Sequence, residues 1–227
     1  MINDNDTELS NIHTFNIDDA SREIYLHPYI DSLEEPSEAT IDFRCAVNLE
    51  KNIRYLDSKS IEPILVHMHL PGGNWEDALG MYDCIKLCKS RVIILAYGKV
   101  ESSSSIILQS AGLRILMPNT YVLIHYGSFG LTESDHPGTA ISHAHWNEKE
   151  LDKTLNIFTD KCMESQLAKE KKWKRLITKK HIAGQLRSKS DWILSAEEAV
   201  YYGFADGVLG TKKFPNIDYL KTFIKKQ

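Results

Sequence analysis

A chain of 227 residues, 42% hydrophobic and 26% charged, carries enough apolar material for one well-packed domain of ordinary globular composition. A formal net charge of −4 and a pI near 6.1 exclude nucleic-acid binding driven by bulk positive charge. No apolar run approaches the about 18 residues of a membrane span. The first residues also lack the basic and apolar regions of a secretory signal, so the expectation is a cytoplasmic protein with no membrane partner and reduced cysteines at 45, 84, 88 and 162.

Residues 1–20, rich in Asn, Asp, Ser and Thr, read as a flexible N-terminal arm. Residues 22–26 form a first strand, stopped by Pro28. Ile41, Cys45, Leu49, Ile53 and Leu56 recur at helical spacing, and residues 57–60 break that helix. A buried-type strand over 64–70 runs into Pro71-Gly72-Gly73, and a helix follows over 76–88. Residues 92–97 are continuously apolar, the pattern of a strand covered on both faces. The chain then turns at 98–101 into a helix over 105–112, with short strands over 113–117 and 121–125. This β-α-β-α-β alternation predicts an α/β fold with largely parallel strands.

Residues 126–139 read as a loop, and Trp146, Leu151, Leu155, Phe158 and Cys162 mark a long helix beginning near His143. Residues 169–180 make a basic, solvated face. Ser195 with Glu198 is a capping box, so a helix starts at Ala196, ends at Gly203 and leads to a short strand over 204–209. Residues 211–227 are a basic, loosely patterned tail, and no internal repeat is present.

Three features within residues 70–125 belong to acyl-transfer chemistry. Gly72 and Gly73 can present bare backbone N–H groups to a developing oxyanion. Ser102, Ser103, Ser104 and Ser105 follow a buried strand and a glycine turn, the setting of a nucleophile elbow, although composition does not choose among the four. His125 stands at a strand exit, where a general base needs a carboxylate to hold one tautomer; Asp191 and Asp206 are the candidates. His67 and His69 share a strand face without a further ligand at useful spacing, and Cys84 with Cys88 fits core packing. No glycine run has the Lys-Ser/Thr partner of a phosphate loop.

Taken together these motifs resemble the proteolytic subunit of the Clp protease and its relatives. The matching residues are Leu70-Pro71-Gly72-Gly73 with Gly80-Met81-Tyr82-Asp83, then 98–102, Met117-Pro118-Asn119 with Ile124-His125, and 191–199 with 202–206. The resemblance implies a crotonase-like spiral of βαβ units over residues 21–210, with a handle helix at about 143–168. It implies Ser102 as nucleophile, His125 as general base and Asp191 as the orienting carboxylate, with the N–H groups of Gly73 and Ser103 as the oxyanion hole. The implied activity is serine endopeptidase action on polypeptides without cofactor or metal. The implied assembly is a homo-oligomeric ring of the heptamer type that can stack, and docking of a partner AAA+ ATPase is left open.

The chain departs from the pattern at Glu101 before the nucleophile, at the serines after it, at Ser190 in place of the usual arginine, and in extra length around 169–189. One alternative is therefore an inactive ring subunit, with Glu101 filling the cleft and His125 and Asp191 out of reach of Ser102. A second is a crotonase-type acyl-CoA enzyme, which has less need of Ser102 and Asp191. The Ser-rich elbow, Trp192 beside Asp191 and the reduced N-terminus are similar to the Clp-like head-maturation proteases of tailed bacteriophages. That likeness implies capsid or scaffold substrates in a host cytoplasm.

Overall fold

The structure, a computed structural model, describes residues 4–28, 40–127 and 137–225. In chain order its elements are α1 (Asp4–Phe15), β1 (Ile17–Asp18), β2 (Glu23–Leu26), α2 (Phe43–Lys59), β3 (Ile64–Leu70), α3 (Trp75–Leu87), β4 (Val92–Glu101), α4 (Ser103–Ser110), β5 (Leu113–Leu116) and β6 (Tyr121–Ile124). There follow α5 (Pro137–Met163), α6 (Gln166–Lys171), α7 (Arg175–Lys189), β7 (Trp192–Ser195), α8 (Ala196–Tyr201), β8 (Gly207–Val208) and α9 (Ile217–Lys225). Among the described residues no helix is long and apolar enough to cross a membrane.

The two apolar runs make the centre of the sheet. β3 and β4 pair in parallel, with β2 parallel outside β3, and β5 then β8 parallel outside β4. Parallel neighbours need crossovers, and α2, α3 and α4 supply them between successive strands. Two of these helices start where a side chain satisfies orphan N–H groups: Asp42 accepts from Arg44 and Cys45 at α2, and Asn74 from Asp77 at α3. Side chains alternate across the sheet. Ile64, Val66, Met68, Ile94 and Ala96 face the helices, where Leu49, Ile53, Met81, Ile107 and Phe158 meet them. Leu65, Ile93, Leu95, Leu113 and Ile115 face the other way.

That second face is covered by the segment expected to be a loose tail. Phe214 and Leu220, both fully buried, pack on it, and α9 carries Ile217 and Phe223 beside them. The N-terminal segment expected as a flexible arm likewise holds α1 and β1, with β1 pairing antiparallel to β2 and Asn52 donating to the Phe15 carbonyl at 2.7 Å. The handle helix is α5, which starts at Pro137 and ends at Met163 rather than spanning about 143–168; proline suits a first helical turn because its missing N–H has no partner there. Most of the loop expected over 126–139 lies outside the described residues. The extra length downstream is α6 and α7, and α7 buries Thr178, Ile182, Ala183 and Leu186.

Glu23, at the start of β2, shows how the sheet edge is tied to α9. Its carboxylate meets His67 Nε2 at 2.8 Å and Lys221 Nζ at 2.8 Å, while His67 Nδ1 meets the Tyr97 hydroxyl at 2.8 Å. Burial pushes the Glu23 carboxyl up, but the hydrogen bonds from His67 and Lys221 outweigh it and hold the group at about 2. The folded chain therefore binds fewer protons here than the unfolded chain. This stabilisation is complete above the ordinary value of 4.5 and is lost as pH falls toward about 2. Glu23→Gln is expected to lower the melting temperature at neutral pH, and the gap from the unmodified protein should narrow steadily below pH 4.5. A gap independent of pH in thermal melts would contradict this.

Candidate active site

The site is built at the far end of β4. The turn expected at residues 98–101 is not there: Gly98 bends at φ +63, and β4 continues because Lys99, Val100 and Glu101 find new parallel partners in Tyr121, Val122 and Leu123 of β6. The chain turns one residue later, at Ser102, whose φ of +55 and ψ of −127 lie outside the comfortable region for a residue with a Cβ. Its N–H donates to the Leu123 carbonyl at 2.9 Å, so β6 fixes the elbow, and α4 begins at Ser103 rather than at 105.

Pro71-Gly72-Gly73 lies against this elbow. A Cβ on Gly72 would stand 2.7 Å from the Glu101 carbonyl oxygen and 2.9 Å from Ser102 Cβ, and its φ is +101. Glycine is needed because the two turns approach backbone to backbone. Gly72→Ala is expected to displace Ser102 and cut its reactivity sharply in a folded protein. An alanine variant whose Ser102 reacts at the original rate would overturn that account.

His125 and Asp191 meet through an antiparallel ladder. β7 pairs with β6 with Ile124 opposite Trp192, which sets the residue after β6 beside the residue before β7. The His125 Nε2 lies 2.7 Å from Ser102 Oγ, and its Nδ1 lies 3.2 Å from Asp191 Oδ1. With the Nδ1–H given to Asp191, Nε2 is the lone-pair nitrogen facing the Ser102 hydroxyl. The Asp191 side chain is 60% exposed, so water screens its charge and its effect is chiefly to fix ring and tautomer. The alternative carboxylate is engaged elsewhere: Asp206 binds the buried Arg114 through Nε at 3.0 Å and Nη2 at 2.6 Å.

The four serines, indistinguishable by composition, have separate fates. Ser102 faces His125. Ser104 and Ser105 donate back to the Glu101 and Ser102 carbonyls at 2.7 and 2.5 Å, ordinary behaviour in a first helical turn. Ser103 instead reaches Gly73: its Oγ accepts the Gly73 N–H at 2.9 Å and donates to the Gly73 carbonyl at 3.1 Å. The two residues expected to supply oxyanion donors are thus adjacent, joined by a side-chain contact that no local pattern announces. Glu101 does not fill the cleft. Its carboxylate accepts from the Tyr121 hydroxyl, and it is absent from the residues lining the cavity.

That cavity, of about 820 Å³, opens beside Ser102 and His125 and runs along α5. Trp75, Ile106, Leu151 and Phe158 give it apolar walls. Glu150 on its edge is held below the ordinary carboxylate range, because hydrogen bonds from Lys153 and Trp75 outweigh the burial that pushes it up. No group of three or more His, Cys, Asp or Glu placed to hold a metal occurs among the described residues. Burial raises the Cys84 and Cys88 thiols to about 11 and about 12, the protonated, unreactive state.

A family profile described as Clp protease matches residues 37–212. The chloroplastic ATP-dependent Clp protease proteolytic subunit 6 of Arabidopsis thaliana is 28% identical over 160 residues, 69% of this chain and 52% of that protein, so the chain spans about half of that relative's length. Proteolytic subunit 3 of Synechococcus sp. (strain CC9902) is 27% identical over 173 residues, 72% of this chain and 76% of that one. Among solved structures, a ClpP1 mutant from Listeria monocytogenes superposes with a TM-score of 0.64 at 19% identity, over 86% of this chain and 95% of the other. At that identity the likeness establishes the fold.

Proposed function

This chain belongs to the Clp protease family, and from that premise we propose that it is a serine endopeptidase using Ser102, His125 and Asp191. The observation that carries the reading is the unbroken chain of contacts from Ser102 Oγ to His125 Nε2 at 2.7 Å and from His125 Nδ1 to Asp191 Oδ1 at 3.2 Å. Ser102 Oγ attacks the carbonyl carbon of the scissile peptide while its proton passes to His125 Nε2. Asp191 holds the imidazolium that forms. The carbonyl oxygen, now negative, is received by the backbone N–H groups of Gly73 and Ser103. Collapse of this intermediate breaks the C–N bond, and the leaving amine takes the proton from His125. A water then gives one proton to His125 Nε2 as it attacks the acyl-serine carbonyl, and the new intermediate collapses with that proton passing to Ser102 Oγ, which releases the carboxylic product and restores both residues.

The reading extends to polypeptide substrates and a ring of identical subunits. The exposed apolar side chains in the first half of α5 support an assembly role, because Ile141 is 60% and Trp146 52% exposed there. The inactive-subunit reading required a separated triad and an occupied cleft, and both distances and cavity lining argue against it.

A fluorophosphonate probe tests the proposal, since its fluoride leaves as an activated serine oxygen bonds to phosphorus. Digestion and mass spectrometry of the labelled protein are expected to place one adduct on Ser102. An adduct on Ser103 or Ser104, or none on the assembled protein, would sink the assignment.

A further inference from the structure

We propose that the Ser103 hydroxyl is a positioning group that holds the Gly73 oxyanion donor closed in the resting protein and is displaced when a carbonyl or phosphoryl oxygen enters. The inference rests on the acyl-transfer reading above, and concerns a side chain to which that reading gives no part.

The contact is unusual for a serine in the first turn of a helix. Ser104 and Ser105 satisfy their hydroxyls locally, on carbonyls three residues earlier. Ser103 reaches across to another segment, thirty positions away, and engages both polar atoms of one residue: the Gly73 N–H at 2.9 Å and the Gly73 carbonyl at 3.1 Å. Only 2% of Ser103 is exposed, so water competes little for either bond. The turn itself is held by Ile41, whose N–H donates to the Gly72 carbonyl at 2.7 Å and whose carbonyl accepts from Asn74 at 3.0 Å. The Gly73 N–H therefore has a fixed direction, and what meets it is decided by the Ser103 rotamer.

An oxyanion must come within about 2.7–3.1 Å of its donors to be stabilised. The Ser103 oxygen already stands at that distance from Gly73 N, and Gly73, Ser102, Ser103 and His125 all line one cavity. One N–H cannot give a full hydrogen bond to two oxygens, so the hydroxyl and the substrate oxygen compete for it. Rotation about the Ser103 Cα–Cβ bond between staggered wells frees the donor without moving the backbone. Alanine at this position keeps the Ser103 backbone N–H and leaves the Gly73 N–H open at all times.

Ser103→Ala is accordingly expected to react faster, not slower. The second-order rate of fluorophosphonate labelling at Ser102, and kcat/KM for a fluorogenic peptide, should rise about tenfold, the worth of one competing hydrogen bond. Amide exchange at Gly73, followed by NMR, should accelerate in the same variant. Because alanine is well tolerated in a helix, thermal melting checks that the variant is folded. A purely structural serine would leave the rate unchanged or lower it through loosening. Labelling of Ser102 at an equal or slower rate in Ser103→Ala overturns the latch while leaving the peptidase reading intact. Labelling of Ser102 in neither protein overturns the peptidase reading and the latch with it.

Discussion

Ser102→Ala is expected to abolish peptide hydrolysis, with a fall of about 10⁴-fold or more in kcat, and to eliminate fluorophosphonate labelling. The size of the effect follows from the fact that no neighbour can take over. Ser104 and Ser105 are bonded to the backbone carbonyls of Glu101 and Ser102, and the Ser103 oxygen is directed at Gly73. Of the four serines, Ser102 alone has its hydroxyl oxygen within reach of His125 Nε2. Alanine tolerates the unusual elbow dihedral no worse than serine does, and the Ser102 N–H to the Leu123 carbonyl at 2.9 Å is retained. Melting temperature should therefore change little. Residual hydrolysis within tenfold of the unmodified protein would mean that the chemistry lies elsewhere.

The choice of Ser102 among four adjacent serines marks the boundary of what the sequence carries. Hydrophobic runs placed β3, β4 and the helices between them, because burial on both faces leaves a periodicity that needs no partner to be recognised. The pattern sets the turn at 98–101 and the helix start at 105, a few residues off, because residues 99–101 are strand only by virtue of β6, a pairing with no local signature. β7 was likewise invisible: four residues, alternately buried and exposed, acquire their strand character from β6. Yet that ladder is what brings His125 to Asp191 across 66 positions. Motif order singles out Ser102, His125 and Asp191, but the reason these three side chains meet is not legible in it. α9 leaves no clear pattern because Ile217, Leu220 and Phe223 are too few to stand out from a basic tail without the sheet face they cover. The Ser103–Gly73 contact had no signal at all, since it depends on two turns meeting.

The two carboxylates that competed for the triad should separate cleanly when each is replaced. Asp191→Asn is expected to reduce kcat/KM by about 10³-fold, because an amide that offers its N–H to His125 Nδ1 favours the tautomer whose Nε2 carries the proton. An imidazole in that tautomer cannot accept from Ser102. Since the Asp191 side chain is 60% exposed, its loss should leave the melting temperature nearly unchanged. Asp206→Ala should do the reverse. Arg114 is only 5% exposed, and Asp206 supplies its charge partner as well as accepting its backbone N–H at 2.8 Å. Gln109 and the Gly203 carbonyl still bind one guanidinium nitrogen at 2.8 Å each, but neither carries a charge. Leaving a buried cation without its anion costs about 3–5 kcal/mol. For a chain of this length that is a fall in melting temperature of about 10 °C. Labelling of Ser102 per folded molecule should persist in Asp206→Ala at low temperature, because Asp206 touches neither His125 nor the cleft lining. If Asp206→Ala silences labelling while remaining folded, or Asp191→Asn melts the protein without slowing the reaction, the roles are exchanged and the triad must be redrawn.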